Sequence, residues 1–158
     1  MRDSIEIPEG YGAPYELAAP FTIDQPVAWS ELDAYQHVNH AVYLTYFENG
    51  RFHYFEAVGI TALHAQEGKG PILARCEIDY VAPVEFPDTL LVKTQTTEIG
   101  NTSFVLEAEI WSSRDARAVA RGRFVIVLVD YREGYARVRV PEPVRAAIRA
   151  LDGGAVER

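Results

Sequence analysis

Cysteine is nearly absent from this chain of 158 residues, because Cys76 is the only one. A single thiol excludes an internal disulfide, and no spacing of cysteine and histidine matches a zinc site. We therefore expect no bound metal and no other cofactor.

Long apolar runs and excess positive charge are also missing. The apolar run from Val125 to Val129 is far shorter than the roughly 20 residues of a membrane helix. The first residues, MRDSIEIPEG, include acids and a proline where a secretion signal needs an apolar stretch, so we expect a cytoplasmic protein of bacterial type. The formal charge of −8 argues against nucleic acid and anionic membrane as partners, because both require a basic surface.

The residues that are present are those of a globular domain, with 48% hydrophobic and 24% charged residues. The length fits one domain with a substantial core. Prolines and glycines without periodicity predict an extended arm over residues 1–20. We expect one folded domain over residues 21–151 and a short tail over residues 152–158.

One long helix is predicted from Ala41 to Val58. Asn39 is a good N-cap residue, and Gly59 stands where a glycine commonly ends a helix. The helix should be largely buried, because its apolar face is wide. Apolar side chains at helical spacing form this face: Tyr43, Leu44, Phe47, Phe55 and Val58.

Alternating apolar and polar residues predict a set of β-strands and a short final helix. The predicted strands are Phe21–Trp29, Ile72–Tyr80, Thr89–Ile99, Thr102–Trp111 and Ala118–Tyr131, and the final helix is Val144–Leu151. Gly100 and Asn101 predict a tight hairpin with glycine at positive φ. Cys76 falls on the apolar side of its strand, which favours inert packing over reactivity.

This order of elements predicts an α+β fold. The strands after the long helix are expected to be linked by hairpins, which gives an antiparallel sheet with one apolar face. The long helix is the only predicted element large enough to cover that face, so the sheet should curl around it. Exposed sheet edges commonly pair between two copies of a chain.

The segment from Trp29 to Arg51 has the residues for chemistry at a carbonyl group. Glu31 and Asp33 lie on the turn that precedes the predicted helix, and His37 and Asn39 follow them. Unpaired amides at a helix N-terminus suit a developing oxyanion, and we expect the N–H groups of Asn39 and His40 to act in this way. A nearby carboxylate can attack a thioester or activate water to do so.

This segment resembles the signature D-x-D-x-x-G-H-V-N-N-x-x-Y-x-x-Y-F-E-x-x-R of the 4-hydroxybenzoyl-CoA thioesterase-like branch of the hotdog-fold superfamily. The residues in register are Asp33, His37, Val38, Asn39, Tyr43, Tyr46, Phe47, Glu48 and Arg51. The resemblance extends over roughly Phe21 to Leu151. The chain departs from the signature where Glu31 replaces the first aspartate, Gln36 the glycine and His40 the second asparagine.

The resemblance implies an α+β hotdog fold, a curled antiparallel sheet wrapped around one long central helix. It also implies hydrolysis of an acyl-CoA to a free acid and coenzyme A. The expected assembly is a homodimer or a dimer of dimers, with each active site built from two chains. Two other functions stay open: hydrolysis of an acyl group from acyl carrier protein, and acyl binding without catalysis.

The resemblance also implies roles for the residues before the helix. Glu31 occupies the position of the usual catalytic carboxylate, and Asp33 is the second candidate, with a turn-forming role as its alternative. His37 and His40 complete the catalytic candidates together with Asn39, whose simplest role is to cap the helix. The simplest alternative for His37 is a structural hydrogen bond.

The expected substrate-binding residues are Tyr43, Phe47, Glu48, Arg51 and Arg75. Tyr43 and Phe47 fit a role in the core equally well. Glu48 and Arg51 are spaced to pair with one another on one side of the helix. Arg75 is a candidate for binding the phosphates of coenzyme A, or it belongs to an ordinary polar face of the sheet.

Overall fold

One antiparallel sheet forms the framework of the molecule. The computed structural model describes Leu17, residues 20–153 and residues 155–157, so most of the predicted N-terminal arm lies outside the described residues. The strands are β1 (Phe21–Pro26), β2 (Lys69–Tyr80), β3 (Thr89–Ile99), β4 (Ser103–Ser112), β5 (Arg117–Asp130), β6 (Ala136–Arg137) and β7 (Val156–Glu157). The spatial order is β1-β3-β4-β5-β2, with β6 beside β5, and β7 pairs in parallel with β3.

The predicted hairpins are only partly confirmed. Antiparallel hairpins join β3 to β4 and β4 to β5. The strands β2 and β3 are not neighbours, however, because β2 pairs with β5 at one side of the sheet while β3 lies between β1 and β4. The chain between Tyr80 and Thr89 therefore crosses the sheet, which alternation of side chains cannot reveal.

The long helix is confirmed and lies against the sheet. It is α1 (His40–Ala57); Asn39 caps it by accepting a hydrogen bond from the Ala41 amide at 2.9 Å, and Gly59 follows it with φ 83°. Its buried residues are Tyr43, Tyr46, Phe47, Gly50, Arg51 and Tyr54. Gly50 allows α1 to pack closely on β3, because a Cβ there would lie 2.6 Å from Cγ1 of Val92.

Two further helices are present in the described residues, α2 (Ile60–Glu67) and α3 (Glu142–Asp152). The sequence did not reveal α2, of which only Ile60 is buried, because a helix with so little buried surface has little apolar periodicity. None of the described helices is long and apolar enough to cross a bilayer. Asp152, assigned to the tail from the sequence, instead ends α3 and is 3% exposed.

The hairpin at Gly100 and Asn101 forms, but not through a glycine at positive φ. The Gly100 amide donates to the Ser103 carbonyl at 2.7 Å, and Gly100 is not among the described glycines with positive φ. The buried guanidinium of Arg145 on α3 donates to the carbonyls of Gly100 and Asn101 at 2.5 and 3.2 Å. A side chain from another element therefore satisfies the backbone groups of this turn.

The predicted packing of Cys76 is wrong, because the thiol is exposed. The strand β2 has only β5 as a partner among the described strands, and its residues from Leu73 to Glu77 are exposed. Alternation identified the strand correctly but not its place at the edge of the sheet.

Candidate active site

The loop before α1 is closed by backbone hydrogen bonds. The loop begins with one 3-10 turn, Trp29–Glu31, and an isolated β-bridge pairs Leu32 with Val38. The Val38 amide also donates to the Val84 carbonyl at 2.9 Å, which joins the loop to the segment that follows β2. Acidic and amide groups from the whole loop are thereby held at the start of one buried helix.

Glu31 makes contacts to three parts of the structure. Its Oε2 accepts hydrogen bonds from the Ala28 amide at 2.7 Å and from the Tyr46 hydroxyl at 2.5 Å. Its backbone carbonyl accepts from the Asn39 amide at 2.9 Å. Burial, reinforced by the bond to Glu31, raises the pKa of Tyr46 well above its usual value, so the phenol stays a donor near neutral pH.

Asp33 organises the next turn with one oxygen of its carboxylate. Oδ1 accepts from the amides of Tyr35 and His37 at 2.8 and 3.4 Å. The Asp33 amide donates to the His37 carbonyl at 2.8 Å. Asp33 also lines a cavity of about 320 Å³, together with Trp29, Ser30, Leu32, Ala34 and Gln36. A carboxylate at a cavity is positioned to meet water or a substrate.

Gln36 adopts a conformation that favours glycine. Its φ is 66°, in the left-handed region, and it stands where the resembling signature has glycine. A side chain in this region costs roughly 1–2 kcal/mol. The turn that carries Asp33 is therefore kept despite local strain.

The amides at the start of α1 are not equally available. The Val42 amide donates to the Asn39 carbonyl and the Ala41 amide to Oδ1 of Asn39, both at 2.9 Å. The expectation that the Asn39 amide polarises a carbonyl is wrong, because that amide donates to Glu31. None of the hydrogen bonds among the described residues uses the His40 amide. His40 thus supplies the available donor at this helix end.

The side chains of the two predicted catalytic histidines point to different partners. Nε2 of His37 lies 3.7 Å from Oε1 of Glu85, and about a third of the His37 side chain is exposed. The exposed ring of His40 contacts the Tyr80 ring, whose hydroxyl donates to the His40 carbonyl at 3.1 Å. The contacts of His37 fit the structural alternative for this residue.

Two of the predicted substrate-binding residues belong to the core. Tyr43 is 3% exposed and Phe47 is fully buried, packed 5.1 Å from the Phe124 ring. Burial raises the pKa of Tyr43 to about 12. Arg75 lies elsewhere, on the exposed strand β2, where it pairs with Glu77. The structure does not bring Arg75 together with the loop residues.

Arg51 and Glu48 line a second cavity, of about 240 Å³, between α1 and the β2–β5 side of the sheet. The other lining residues are Phe52, Phe55, Pro71, Leu73 and Ile126. Arg51 is 8% exposed, its guanidinium lies 4.6 Å over the Phe124 ring, and its Nη1 has no hydrogen-bond partner. Burial lowers the pKa of Arg51, opposed by the charge of Glu48. Five of the seven residues that line this cavity are apolar, and Glu48 and Arg51 are its charged residues.

Sequence reasoning missed the hydrogen bond from Tyr46 to Glu31. Helical periodicity places this tyrosine in the core, where it is fully buried, but periodicity does not identify a partner for its hydroxyl. The available signal was its place in the signature beside residues of the site. No group of three or more metal-binding side chains is present among the described residues.

Known proteins of similar sequence and structure include thioesterases. The chain is 24% identical over 117 residues to the acyl-acyl carrier protein thioesterase ATL3 of Arabidopsis thaliana, covering 73% of this chain and 60% of the relative. It is 25% identical over 133 residues to the acyl-CoA thioesterase YbgC of Haemophilus influenzae, covering 83% of this chain and 96% of the relative.

A solved structure of similar fold is a thioesterase from Thermus thermophilus, complexed with coenzyme A and zinc. It has 30% identity and a TM-score of 0.75, and the match covers 87% of this chain and 98% of the other. The α+β hotdog prediction is confirmed. Residues 27–148 match the sequence model of the thioesterase-like superfamily, and the chain belongs to this family.

Proposed function

We propose that the protein hydrolyses acyl-CoA thioesters at the start of α1. The observation that carries the proposal is the Asp33 carboxylate at a cavity on the loop that leads into α1, whose first residue, His40, has an amide without a described hydrogen bond. The names of YbgC and of the coenzyme A complex from Thermus thermophilus support coenzyme A as the carrier of the acyl group. The chain spans about 60% of the length of ATL3, and we therefore propose the hydrolytic activity for this chain rather than transfer it from that relative.

The reaction uses a carboxylate and a helix amide in different steps. The carboxylate takes a proton from water as the water oxygen bonds to the thioester carbon. The carbonyl oxygen becomes an oxyanion, which the His40 amide and the positive end of the α1 dipole stabilise. The carbon–sulfur bond then breaks, and coenzyme A leaves as a thiolate that takes up a proton.

We assign the proton-accepting role to Asp33. The described hydrogen bonds to its carboxylate all involve Oδ1, and Asp33 lines a cavity. Each carboxylate accepts two hydrogen bonds on one oxygen, but Glu31 is held by a fully buried phenol of α1, whereas the donors to Asp33 are amides of its own turn. The catalytic role of Glu31 remains a prediction, and these contacts favour a structural role instead.

We also propose a homodimer formed along β2. This edge strand exposes Leu73 and Tyr80, and the neighbouring helix exposes Leu44 and Phe52. Antiparallel pairing of two copies of β2 would place the Tyr80 end of one strand beside the Lys69 end of the other. The Arg51 cavity of one chain would then lie near His40 of its partner, so that each site receives residues from two chains.

The proposed reaction is tested with a panel of short, long and aromatic acyl-CoAs and a reagent that detects free thiol. Release of coenzyme A is expected from at least one member. No release across the panel would contradict hydrolysis and favour acyl binding alone.

Acyl carrier protein is the second candidate carrier, because ATL3 is named for that substrate. The charge of −8 repels an acidic carrier protein, which favours coenzyme A. Matched acyl groups on coenzyme A and on acyl carrier protein decide between them. A higher kcat/KM for the protein-bound group would overturn the preference for coenzyme A.

The dimer is tested by light scattering on the wild type, Leu73→Asp and Tyr135→Asp. Leu73 lies on β2, and Tyr135 is an exposed aromatic residue after β5 that serves as the control. Only Leu73→Asp should lower the mass to that of a monomer. A monomeric wild type would contradict the proposal.

A further inference from the structure

Tyr46 links the helix to the loop of the candidate site. Its side chain is fully buried on α1, and its hydroxyl donates to Oε2 of Glu31 at 2.5 Å. We infer that Tyr46 is a positioning residue for thioester hydrolysis that acts through Glu31. The inference rests on the proposed function, because the reaction defines what must be positioned.

Glu31 connects both ends of the loop to the phenol. The same Oε2 accepts from the Ala28 amide, where the loop begins. The Glu31 carbonyl accepts from Asn39, where the loop meets α1. Because Asp33 lies between these two points, the Tyr46 hydroxyl helps to fix the position of the Asp33 carboxylate relative to the His40 amide.

Tyr46 does not take part in the chemistry itself. With 0% of its surface exposed, it is shielded from water and substrate. The phenol also remains protonated, as its raised pKa requires. Its effect on the reaction must therefore pass through the carboxylate that it holds.

Tyr54 provides a matched control on the same helix. It is also fully buried, about two turns further along α1, and its hydroxyl donates to Oδ2 of Asp152 at 2.5 Å. Tyr54→Phe removes the same atom from the same kind of bond. Its partner belongs to α3 and has no contact with the loop among the described hydrogen bonds.

The first experiment compares Tyr46→Phe and Tyr54→Phe in the full chain with an acyl-CoA that the wild type hydrolyses. For Tyr46→Phe, kcat should fall by about ten- to a hundredfold because of misplacement, and KM should change by less than about twofold. For Tyr54→Phe, both constants should stay within about twofold of wild type. Equal loss of kcat in the two variants would overturn the inference.

Amide hydrogen exchange gives a measurement that does not depend on turnover. The amides of Ala28 and Asn39 should exchange faster in Tyr46→Phe than in the wild type, and Tyr54→Phe should leave them unchanged. Unchanged exchange at both amides in Tyr46→Phe would overturn the inference. A wild type without turnover would instead defeat the proposed function, while hydrogen exchange would still test the Tyr46 contact.

Substitutions of Glu31 separate positioning from direct chemistry. The side-chain oxygen of Glu31→Gln can accept both hydrogen bonds that Oε2 accepts, whereas Glu31→Leu can accept neither. The loss of kcat should be at least about tenfold smaller for Glu31→Gln than for Glu31→Leu. Equal losses would show that the charge of Glu31 acts in the reaction and would overturn the inference.

Discussion

Two tyrosines on α1 make the same contact in different surroundings. Tyr46 and Tyr54 are both fully buried, and each donates to a carboxylate oxygen at 2.5 Å. Glu31 lies in the partly exposed loop of the candidate site, whereas Asp152 is 3% exposed at the end of α3. The first contact positions residues for chemistry, and the second joins two helices.

The Asp152 carboxylate depends more on its hydrogen bonds than Glu31 does, because it is buried. Its Oδ2 also accepts from the Thr96 amide at 2.8 Å, and the Thr96 hydroxyl donates to Tyr54 at 2.5 Å. The other oxygen, Oδ1, is buried without a partner. Burial raises the pKa of Asp152, although its hydrogen bonds oppose the rise. The same contact thus has a larger effect on stability where water is excluded.

The largest expected effect is the loss of kcat when Asp33, the proposed proton acceptor, is replaced, rather than either of the carboxylates bound to a tyrosine. In Asp33→Asn the amide oxygen can still accept from Tyr35 and His37, so the turn should keep its shape. The value of kcat should fall by about two to four decades, since the proton acceptor is lost. Steady-state kinetics with an acyl-CoA test this. Wild-type kcat in Asp33→Asn, with a large loss in Glu31→Gln, would reverse the assignment.

The next largest effect is a difference in stability between the variants of the two tyrosines. Tyr54→Phe should lower the free energy of unfolding by about 1.5–3 kcal/mol, because Asp152 has no water to replace the lost donor. Tyr46→Phe should cost only about 1 kcal/mol, because Glu31 is partly exposed. Urea unfolding measures both. Equal losses of unfolding free energy in the two variants would show that the burial of the carboxylate does not determine the strength of the contact.

Asp152 should also give the wild type a distinct pH dependence of stability. Because the pKa is raised in the fold, the folded state binds more protons than the unfolded state above the ordinary aspartate pKa of 3.8. Stability from this group is present at low pH and is lost as pH rises through the folded pKa. The wild type should lose stability relative to Asp152→Asn over that range, measured by urea unfolding. Parallel curves for the two proteins would contradict the shifted pKa.

The smallest effect concerns the strained turn beside Asp33. Gln36→Gly should raise the free energy of unfolding by about 0.5–1 kcal/mol, because glycine tolerates the positive φ. Ala116→Gly is the control, since Ala116 has φ 51° in the β4–β5 turn. Thermal unfolding should show a gain in both variants. Destabilisation by Gln36→Gly would show that the glutamine side chain stabilises the turn.

Local signals in the sequence predicted individual elements well. The predicted bounds of α1 are correct to within one residue at each end. They could be predicted because Asn39 caps the helix and Gly59 follows its end. The strand Thr89–Ile99 has the predicted bounds. Neighbours in the sheet were harder, since alternation in β2 does not show that β5 is its partner. Exposure of Cys76 follows from that edge position.

The sequence offers candidate groups for the site, but it does not reveal the contacts that these groups make. Glu31, Asp33 and Asn39 follow from residue type and from their place before a helix. The bond between Tyr46 and Glu31 joins residues 15 apart, and helical periodicity indicates only that Tyr46 is buried. Whether an acid at this turn is available for chemistry depends on such contacts.

Gly50 lies between the two tyrosines on the buried side of α1, where the helix packs against Val92 of β3. An added methyl group would have to displace Val92 or lift the helix, because their separation would be only 2.6 Å. Lifting the helix would stretch both phenol contacts, since these lie on either side of Gly50. The absence of a side chain at Gly50 thus sets how closely α1 packs on β3, and a substitution at this residue would alter the loop of the candidate site without touching it.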